Sequence, residues 1–260
     1  FHPHAAIPDP LWSRGLGDVY KRQCYSRQAL EKARRRMKVV IDHGIAGATR
    51  AVARQDAIII VDTIRASTTY VNAFGKGVNR IVPCSSREDL TNRSEKYPDC
   101  VKSGERKCKK IEGYDFGSSP KEMSLSNLDG KTMLSSTTNG SRMVVASHDS
   151  PCVVMGSFCN ASAVIGYLKK QNLDVTIVCS GRLGEEVIED NLCAEFLLWG
   201  FDNLLVDFRL NPKEIYAECL ESPSYLMLKS AGLEDDFDFC MAIDSHSIVP
   251  ILDGDGFILV

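Results

Sequence analysis

The residues with the clearest capacity for chemistry lie in a short polar segment directly after an apolar run. Asp62 follows residues 57–61, and a carboxylate there can ligate a hard cation or orient water. Arg65 carries a rigid fork of donors that suits phosphate or sulfonate. Ser67 and Thr68 stand at a predicted helix start, where free N–H groups favour an anion. From local sequence alone, Asp62 is equally compatible with a helix cap or with a partner for Arg65.

A second polar segment, residues 137–142, precedes another apolar run. Its Asn-Gly pair is also typical of a hairpin turn. However, residues 143–146 fit a helix at least as well, which favours a loop that binds an anion ahead of that helix. The candidate ligands in this segment are Thr137, Thr138, Asn139, Ser141 and Arg142.

An acidic cluster lies beside Arg182 and ends in Glu189 and Asp190. Such a cluster is usually a solvated helix face. At the start of a helix, Glu189 and Asp190 can instead join Asp62 around Mg²⁺. Arg106 and Arg182, like Arg65 and Arg142, are cations in polar loops, as a site for a multiply anionic small molecule requires.

These segments need a framework, and the sequence supplies strands that alternate with helices. Alternation at this spacing predicts an α/β fold with three layers, α/β/α, around a largely parallel or mixed sheet. The ligand site is then expected at the loops that follow the strands. Residues 87–110 are expected to form a helix and a surface loop, and the Asp-Gly-rich tail a hairpin. The predicted strands are 57–61, 81–83, 132–134, 153–155 and 175–179, and the main predicted helices are 68–74, 143–146, 161–169 and 191–199.

Composition sets limits on the function. The chain has 260 residues, of which 44% are hydrophobic and 25% charged, as in an ordinary globular protein. Its formal charge of -3 argues against nucleic acid as the main partner. No apolar run is long enough to span a membrane. The charge is uneven, because residues 1–36 carry +5 and the other residues carry −8.

Residues 1–36 are expected to be a non-native or disordered leader, with residues 37–260 as the α/β domain, either undivided or built of two similar lobes. Residues 18–23 resemble the translated end of a sequencing-library adapter, and Met37 resembles a natural start. The alternatives are a genuine N-terminal arm or an Arg-rich transit peptide, against which the Pro and Asp content argues. The segment lacks the apolar stretch of a secretory signal.

The ten cysteines are scattered, and none forms a Cys-x-x-Cys pair, which disfavours a zinc ribbon. Buried structural thiols in a reducing cytoplasm are favoured over a nucleophilic Cys159 or Cys179. The sequence contains no Walker, Gly-x-Gly-x-x-Gly or Gly-x-Ser-x-Gly motif.

Taken together and in order, the polar segments resemble the 2-phosphosulfolactate phosphatase family. The resemblance runs from about Met37 to the end, and Ser118 departs from it by standing where Asn is expected. Each stretch is common alone, whereas the ordered set is specific. The matching stretches are residues 61–69, 104–106, 116–120, 137–141, 156–161 and 189–190, with Cys240, Asp244 and Val249-Pro250 near the end.

This resemblance implies an α/β enzyme that hydrolyses 2-phosphosulfolactate to sulfolactate and phosphate with Mg²⁺, a reaction of coenzyme M biosynthesis in methanogens. It implies metal ligation by Asp62, Glu189 and Asp190, and catalytic roles for Asp62, Arg65 and Glu105, with Glu105 also a candidate ligand. The nucleophile is left open between metal-bound water and a carboxylate. The implied substrate-binding residues are Arg65, Ser67, Thr68, Arg106, Thr137, Thr138, Asn139, Ser141, Arg142, Asn160 and Arg182.

Two alternatives stay open at this point: a phosphatase for another small phospho-acid, and a non-catalytic protein that binds small anionic metabolites. The expected partner is a small, multiply anionic phosphorylated substrate, with no nucleic acid and no membrane. Homodimer formation is left open, and the expected location is the cytoplasm.

Overall fold

The apolar runs of the sequence form the strands of one mixed ten-stranded sheet. A computed structural model describes residues 37–137 and 140–260, so the expectation for residues 1–36 concerns residues outside the described part. Within it, Lys38–Val260 is one unit. The strands are β1 Val39–His43, β2 Ala57–Val61, β3 Arg80–Pro83, β4 Val101–Arg106, β5 Lys109–Lys110, β6 Thr132–Ser136, β7 Val153–Gly156, β8 Val175–Cys179, β9 Pro250–Asp253 and β10 Gly256–Leu259.

The sheet consists of two parallel blocks that an antiparallel hairpin joins. The strand order is β1-β8-β2-β7-β9-β10-β3-β6-β4-β5. Strands β1, β8, β2 and β7 are parallel to one another, as are β3, β6 and β4. The hairpin β9–β10 pairs antiparallel with β7 on one side and with β3 on the other, through one residue pair each.

Helices cover both faces of this sheet and complete the predicted three-layer α/β/α fold. The N-terminal Ser residues of several helices cap them; for example, the Ser86 hydroxyl accepts a hydrogen bond from the Asp89 N–H. The helices are α1 Gly44–Arg54, α2 Ala66–Phe74, α3 Arg87–Lys96, α4 Pro120–Ser124, α5 Gly140–Ser147, α6 Ala161–Leu168, α7 Ile188–Asp202, α8 Pro212–Cys219, α9 Pro223–Ser230 and α10 Asp235–Met241.

The core lies between the sheet and these helices. Every residue of β2 is buried, and so is every residue of α2, which follows it. The central cluster includes Ile58, Ile60, Met155 and Phe257, with Tyr70 against Phe257 edge to face. Burial on both sides explains why β2 is a continuous β-branched run rather than an alternating one. This buried pair, β2 and α2, holds the Asp62–Arg65 segment between them.

Several elements differ from the sequence predictions, and the following differences concern the strands and helices around the site. Strand β1 and helix α1 were not predicted. The surface loop expected within residues 87–110 is wrong, because Val101–Arg106 pairs with β6 as β4. Helix α2 begins two residues earlier than predicted, at Ala66, so that Ser67 lies inside it rather than at its cap. The terminal hairpin is confirmed as β9–β10. Across the described ranges, no helix combines the length and the apolar character needed to cross a bilayer.

Candidate active site

The loops after β2, β4 and β8, and Thr137 after β6, line one cavity of about 500 Å³. Both parallel blocks therefore contribute to it, in agreement with the prediction that loops following strands form the site. Several lining residues were not predicted from the sequence because no local motif marks them; they include Lys107, Cys108, Ser224 and Met227. The lining residues are Asp62, Ile64, Arg65, Ala66, Glu105, Arg106, Lys107, Cys108, Ser118, Thr137, Arg182, Leu183, Ser224 and Met227.

Asp62 lines this cavity and is buried, with only 8% of the residue exposed. Its backbone N–H donates to the Ser67 hydroxyl at 2.9 Å, and its carboxylate accepts from the Ala66 N–H at 3.3 Å. These bonds fix the turn from β2 into α2. Burial raises the pKa of Asp62 to about 6, and the nearby carboxylates Glu105 and Glu189 add to the rise. A carboxylate so crowded by other acids is a favourable partner for a cation.

Arg65 also lines the cavity, but its guanidinium forms an ion pair with a different carboxylate, that of Asp236. Its Nη1 donates to Asp236 Oδ2 at 2.6 Å, and both side chains are buried. Asp236 Oδ1 in turn accepts from the Ser119 hydroxyl and from the Lys121 N–H. Arg65 Nη2 donates to the Cys108 carbonyl at 3.3 Å. Asp236, 171 residues away, thus fixes the position of Arg65; sequence reasoning missed it because no spacing links the two.

The end of β4 carries the next functional group, Glu105 with Arg106. The Arg106 guanidinium donates to the Ser136 carbonyl at 3.2 Å and to the Ser136 hydroxyl at 3.3 Å. Glu105 Oε2 accepts from the Cys108 N–H at 2.9 Å. These bonds tie β4 to β6 and hold both predicted residues at the cavity wall. Arg182, from the loop after β8, lines the cavity opposite and contacts the sulfur of Met227.

Glu189 and Asp190 form the first turn of α7, behind the cavity lining. Both carboxylate oxygens of Asp190 accept backbone N–H groups, from Thr63 at 2.8 Å and from Gly181 at 3.0 Å. Asp190 therefore joins the loop after β2 to the loop after β8. Burial raises the pKa of both Glu189 and Asp190. Glu189 Oε2 has no hydrogen-bond partner among the described residues.

The residues fit Mg²⁺ through chemistry rather than through a finished ligand cage. Buried carboxylates that raise one another's pKa, with the unpartnered Glu189 Oε2 among them, are the hard oxygen donors that Mg²⁺ prefers. Within residues 37–137 and 140–260, no three His, Cys, Asp or Glu side chains converge as a metal site. Mg²⁺ commonly uses one or two carboxylates and completes its shell with water and substrate phosphate.

Three of the predicted substrate-binding residues have other roles. Ser67 Oγ donates to the Ile60 carbonyl, and the Thr68 hydroxyl donates to the Thr63 carbonyl. Asn160 donates to the carbonyls of Met155 and Ile248. Ser67, Thr68 and Asn160 are fully buried and lie outside the cavity lining, so they shape its loops from below. The sequence alone does not distinguish a polar side chain that binds a ligand from one that donates to a buried backbone carbonyl.

The predicted loop 137–142 is divided. Thr137 lines the cavity, and Arg142 lines a different, neighbouring one. Ser141 is buried and lines neither. Thr138 and Asn139 fall outside the described residues, so their assignment stays a prediction. Ser118, which stands where the resemblance leads us to expect Asn, lines the main cavity.

A family model described as 2-phosphosulpholactate phosphatase matches residues 45–255. A Thermotoga petrophila protein is 32% identical over 211 residues, which is 77% of this chain and 91% of the relative. A Clostridium acetobutylicum protein is 29% identical over 205 residues, 74% of this chain and 87% of the relative. Both relatives carry the name "Probable 2-phosphosulfolactate phosphatase".

Proposed function

The chain belongs to the 2-phosphosulpholactate phosphatase family, and from that premise we propose that it hydrolyses 2-phosphosulfolactate in the cavity around Asp62. Water adds across the phosphate ester, the P–O bond to the carbon skeleton breaks, and sulfolactate and phosphate leave. The observation that carries this proposal is one cavity that presents cations and a buried acid together.

The charges of the cavity suit such a substrate, which bears phosphate, sulfonate and carboxylate groups. Arg106, Lys107 and Arg182 line it as cations, whereas Asp236 offsets the charge of Arg65. The two carboxylates among the described lining residues are Asp62 and Glu105. Three cations offset most of the charge of this substrate, which is about −4 at neutral pH when the phosphate is fully ionised. Fixed donors stabilise charge that develops during phosphoryl transfer.

The roles of individual residues follow from their contacts. Arg106 and Arg65, held by Ser136 and Asp236, are preorganised donors that orient anionic groups. Asp62, a buried carboxylate of the lining, acts at the phosphoryl group. The nucleophile is either water or a carboxylate.

Mg²⁺ is part of this proposal. Asp62 and Glu189 would hold it, with Glu105 as a further candidate, while Asp190 positions the two loops through its backbone bonds. When bound, the ion would neutralise charge on the transferring phosphoryl group. A cytoplasmic location stays a prediction, and homodimer formation stays open.

The test is phosphate release from 2-phosphosulfolactate and from 2-phospholactate, which differs by lacking the sulfonate, each with Mg²⁺ and with a chelator. The proposal expects release from the first substrate with Mg²⁺ and a loss of catalytic efficiency on the second, since a sulfonate-binding cation then has no partner. Equal efficiency on both would favour a phosphatase for other phospho-acids. Binding without release would contradict the enzyme proposal.

A further inference from the structure

A second cavity, of about 630 Å³, adjoins the first. It lies where the parallel neighbours β1 and β8 end, at His43 and Cys179. Among the described residues, Leu183 is the one lining residue that the two cavities share. Arg142, which sequence reasoning placed together with Arg65, belongs to this cavity instead. The loop after β8 therefore contributes to both cavities, but the other residues of the second lining come from the ends of β1 and β8 and from α1 and α5.

One wall of the cavity is the beginning of helix α1. Its first three residues, Gly44, Ile45 and Ala46, line the cavity. The N-cap, His43, has an extended backbone and makes no side-chain cap hydrogen bond, and the first turn contains no acidic residue. The first N–H groups of a helix have no intrahelical acceptor, and the helix dipole adds partial positive charge there. This eleven-residue helix thus directs unused donors toward the cavity.

Ser180 supplies an independent observation on the opposite wall. It lines the same cavity, and only 8% of the residue is exposed. Its hydroxyl has no hydrogen-bond partner within the described part of the chain. Its backbone is fixed, because the N–H donates to the Val61 carbonyl at 2.8 Å. A buried hydroxyl without a partner is costly, and a ligand oxygen relieves that cost.

The charges around the cavity are uneven. Arg142, in the first turn of α5, contributes a cation to the lining. The carboxylate of Asp42, beside the start of α1, is paired with Arg50 at 2.6 Å. Glu185 and Glu186 are the acids of the lining, and Glu186 lies 3.9 Å from His43 Nδ1. Carboxylates thus lie close to the N-cap of α1, since Asp42 Oδ1 also accepts from the His43 N–H at 2.9 Å. Arg142 and the N–H groups of the first turn are the features of the lining that favour an anion.

We propose that this second cavity binds a small tetrahedral oxyanion, a phosphate or a sulfonate, on the N-terminus of α1. The N–H groups of Ile45 and Ala46, the Ser180 hydroxyl and Arg142 would be its donors. The proposal is independent of the hydrolysis proposed above, since it concerns binding at a separate set of residues.

The test is a ¹H–¹⁵N NMR titration of the full chain with inorganic phosphate and, separately, with methanesulfonate. The two probes show which oxyanion the cavity prefers. Saturable shifts at the amides of Gly44, Ile45, Ala46 and Ser180 with either probe are expected. Shifts with neither probe, or shifts confined to residues of the first cavity, would overturn the proposal.

A matched pair of variants sharpens this test. Ala46 is exposed in the first turn, so Ala46→Glu is compatible with the helix and favours it through the dipole. Its carboxylate should weaken oxyanion binding at least about tenfold, because like charges at this separation repel. The neutral Ala46→Gln should leave binding unchanged. Equal affinities for the two variants would contradict an anion site.

Ser180→Ala separates a ligand role from a structural one. Because the hydroxyl has no partner in the protein, its removal should not lower the thermal midpoint. Oxyanion affinity should fall about three- to tenfold, as for the loss of one hydrogen bond. A lower midpoint with unchanged affinity would show that the hydroxyl serves the fold alone.

Discussion

The buried pair of Arg65 and Asp236 offers the sharpest energetic prediction. Asp236→Asn keeps the shape of the side chain, and its carbonyl can still accept from Ser119 and Lys121. It removes the charge that faces Arg65 Nη1 at 2.6 Å, in a place where 4% and 1% of the two side chains are exposed. The guanidinium is then left buried without its counter-charge.

Removal of one partner of a buried ion pair costs about 3–5 kcal/mol, and the retained hydrogen bonds place this case near about 3 kcal/mol. For a chain of this size, that corresponds to a fall of roughly 6–12 °C in the midpoint of thermal unfolding. Differential scanning calorimetry measures it directly. Phosphatase assays on the folded variant should also show a higher KM, because Arg65 is no longer held in the cavity.

The matched control is Asp235→Asn, the same substitution one residue earlier in α10. Asp235 pairs with Lys121 on the surface, where ion pairs contribute little to stability. The Asp235→Asn variant should have a midpoint of thermal unfolding close to that of the unmodified protein. If Asp236→Asn destabilises the chain no more than Asp235→Asn does, the argument that this buried pair holds Arg65 is refuted.

Three further predictions concern the loops of the site. The pKa of Asp62 is raised to about 6, above its value of about 3.9 in an unfolded chain, so the native state holds an extra proton between these two pH values. Without metal, the free energy of unfolding measured in urea should therefore fall as pH rises from about 4 to 6. Asp62→Asn should make this dependence on pH weaker. Mg²⁺ should raise the thermal midpoint of the unmodified protein, and the same titration on Asp62→Asn should show no rise; equal rises would place the ion elsewhere. Gly181→Ala should destabilise the chain more than Gly184→Ala. Both glycines have positive φ, but an added Cβ at Gly181 meets the Glu185 carbonyl oxygen at 2.4 Å, whereas one at Gly184 meets nothing within 4 Å. Calorimetry of the two variants measures the difference, and equal midpoints would contradict this prediction.

Local sequence predicted the fold well where one physical signal dominated. The run 57–61 could only be a buried strand, and Asp62 necessarily stood at its end. The strand Val101–Arg106 was harder to predict. It lies near the edge of the sheet and contains Lys102, Glu105 and Arg106, so that its composition resembles that of a loop. Its pairing with β6 is a tertiary contact that no local pattern carries.

For the site, the sequence identified residue types but not their partners. Asp62, Arg65, Glu105, Arg106, Thr137 and Arg182 do line one cavity. The helix begins at Ala66, two residues earlier than predicted, so Ser67 and Thr68 lie within its first turn. Their hydroxyls donate to the backbone carbonyls of Ile60 and Thr63 instead of lining the cavity. Asp236 is invisible in sequence, since its meaning depends on α10 packing against the loop of Arg65.

The most direct test of the proposed function concerns phosphate release in the cavity at Asp62. Asp62 and Asp56 flank the same strand, β2, and both are buried, but Asp56 pairs with Arg54 and Thr176 and lies outside the cavity lining. The decisive measurement is kcat/KM for phosphate release from 2-phosphosulfolactate by Asp62→Asn and Asp56→Asn, below both unfolding transitions. We expect a loss of at least about 100-fold for Asp62→Asn alone. Equal activity of the two variants would contradict the assignment of this cavity as the active site.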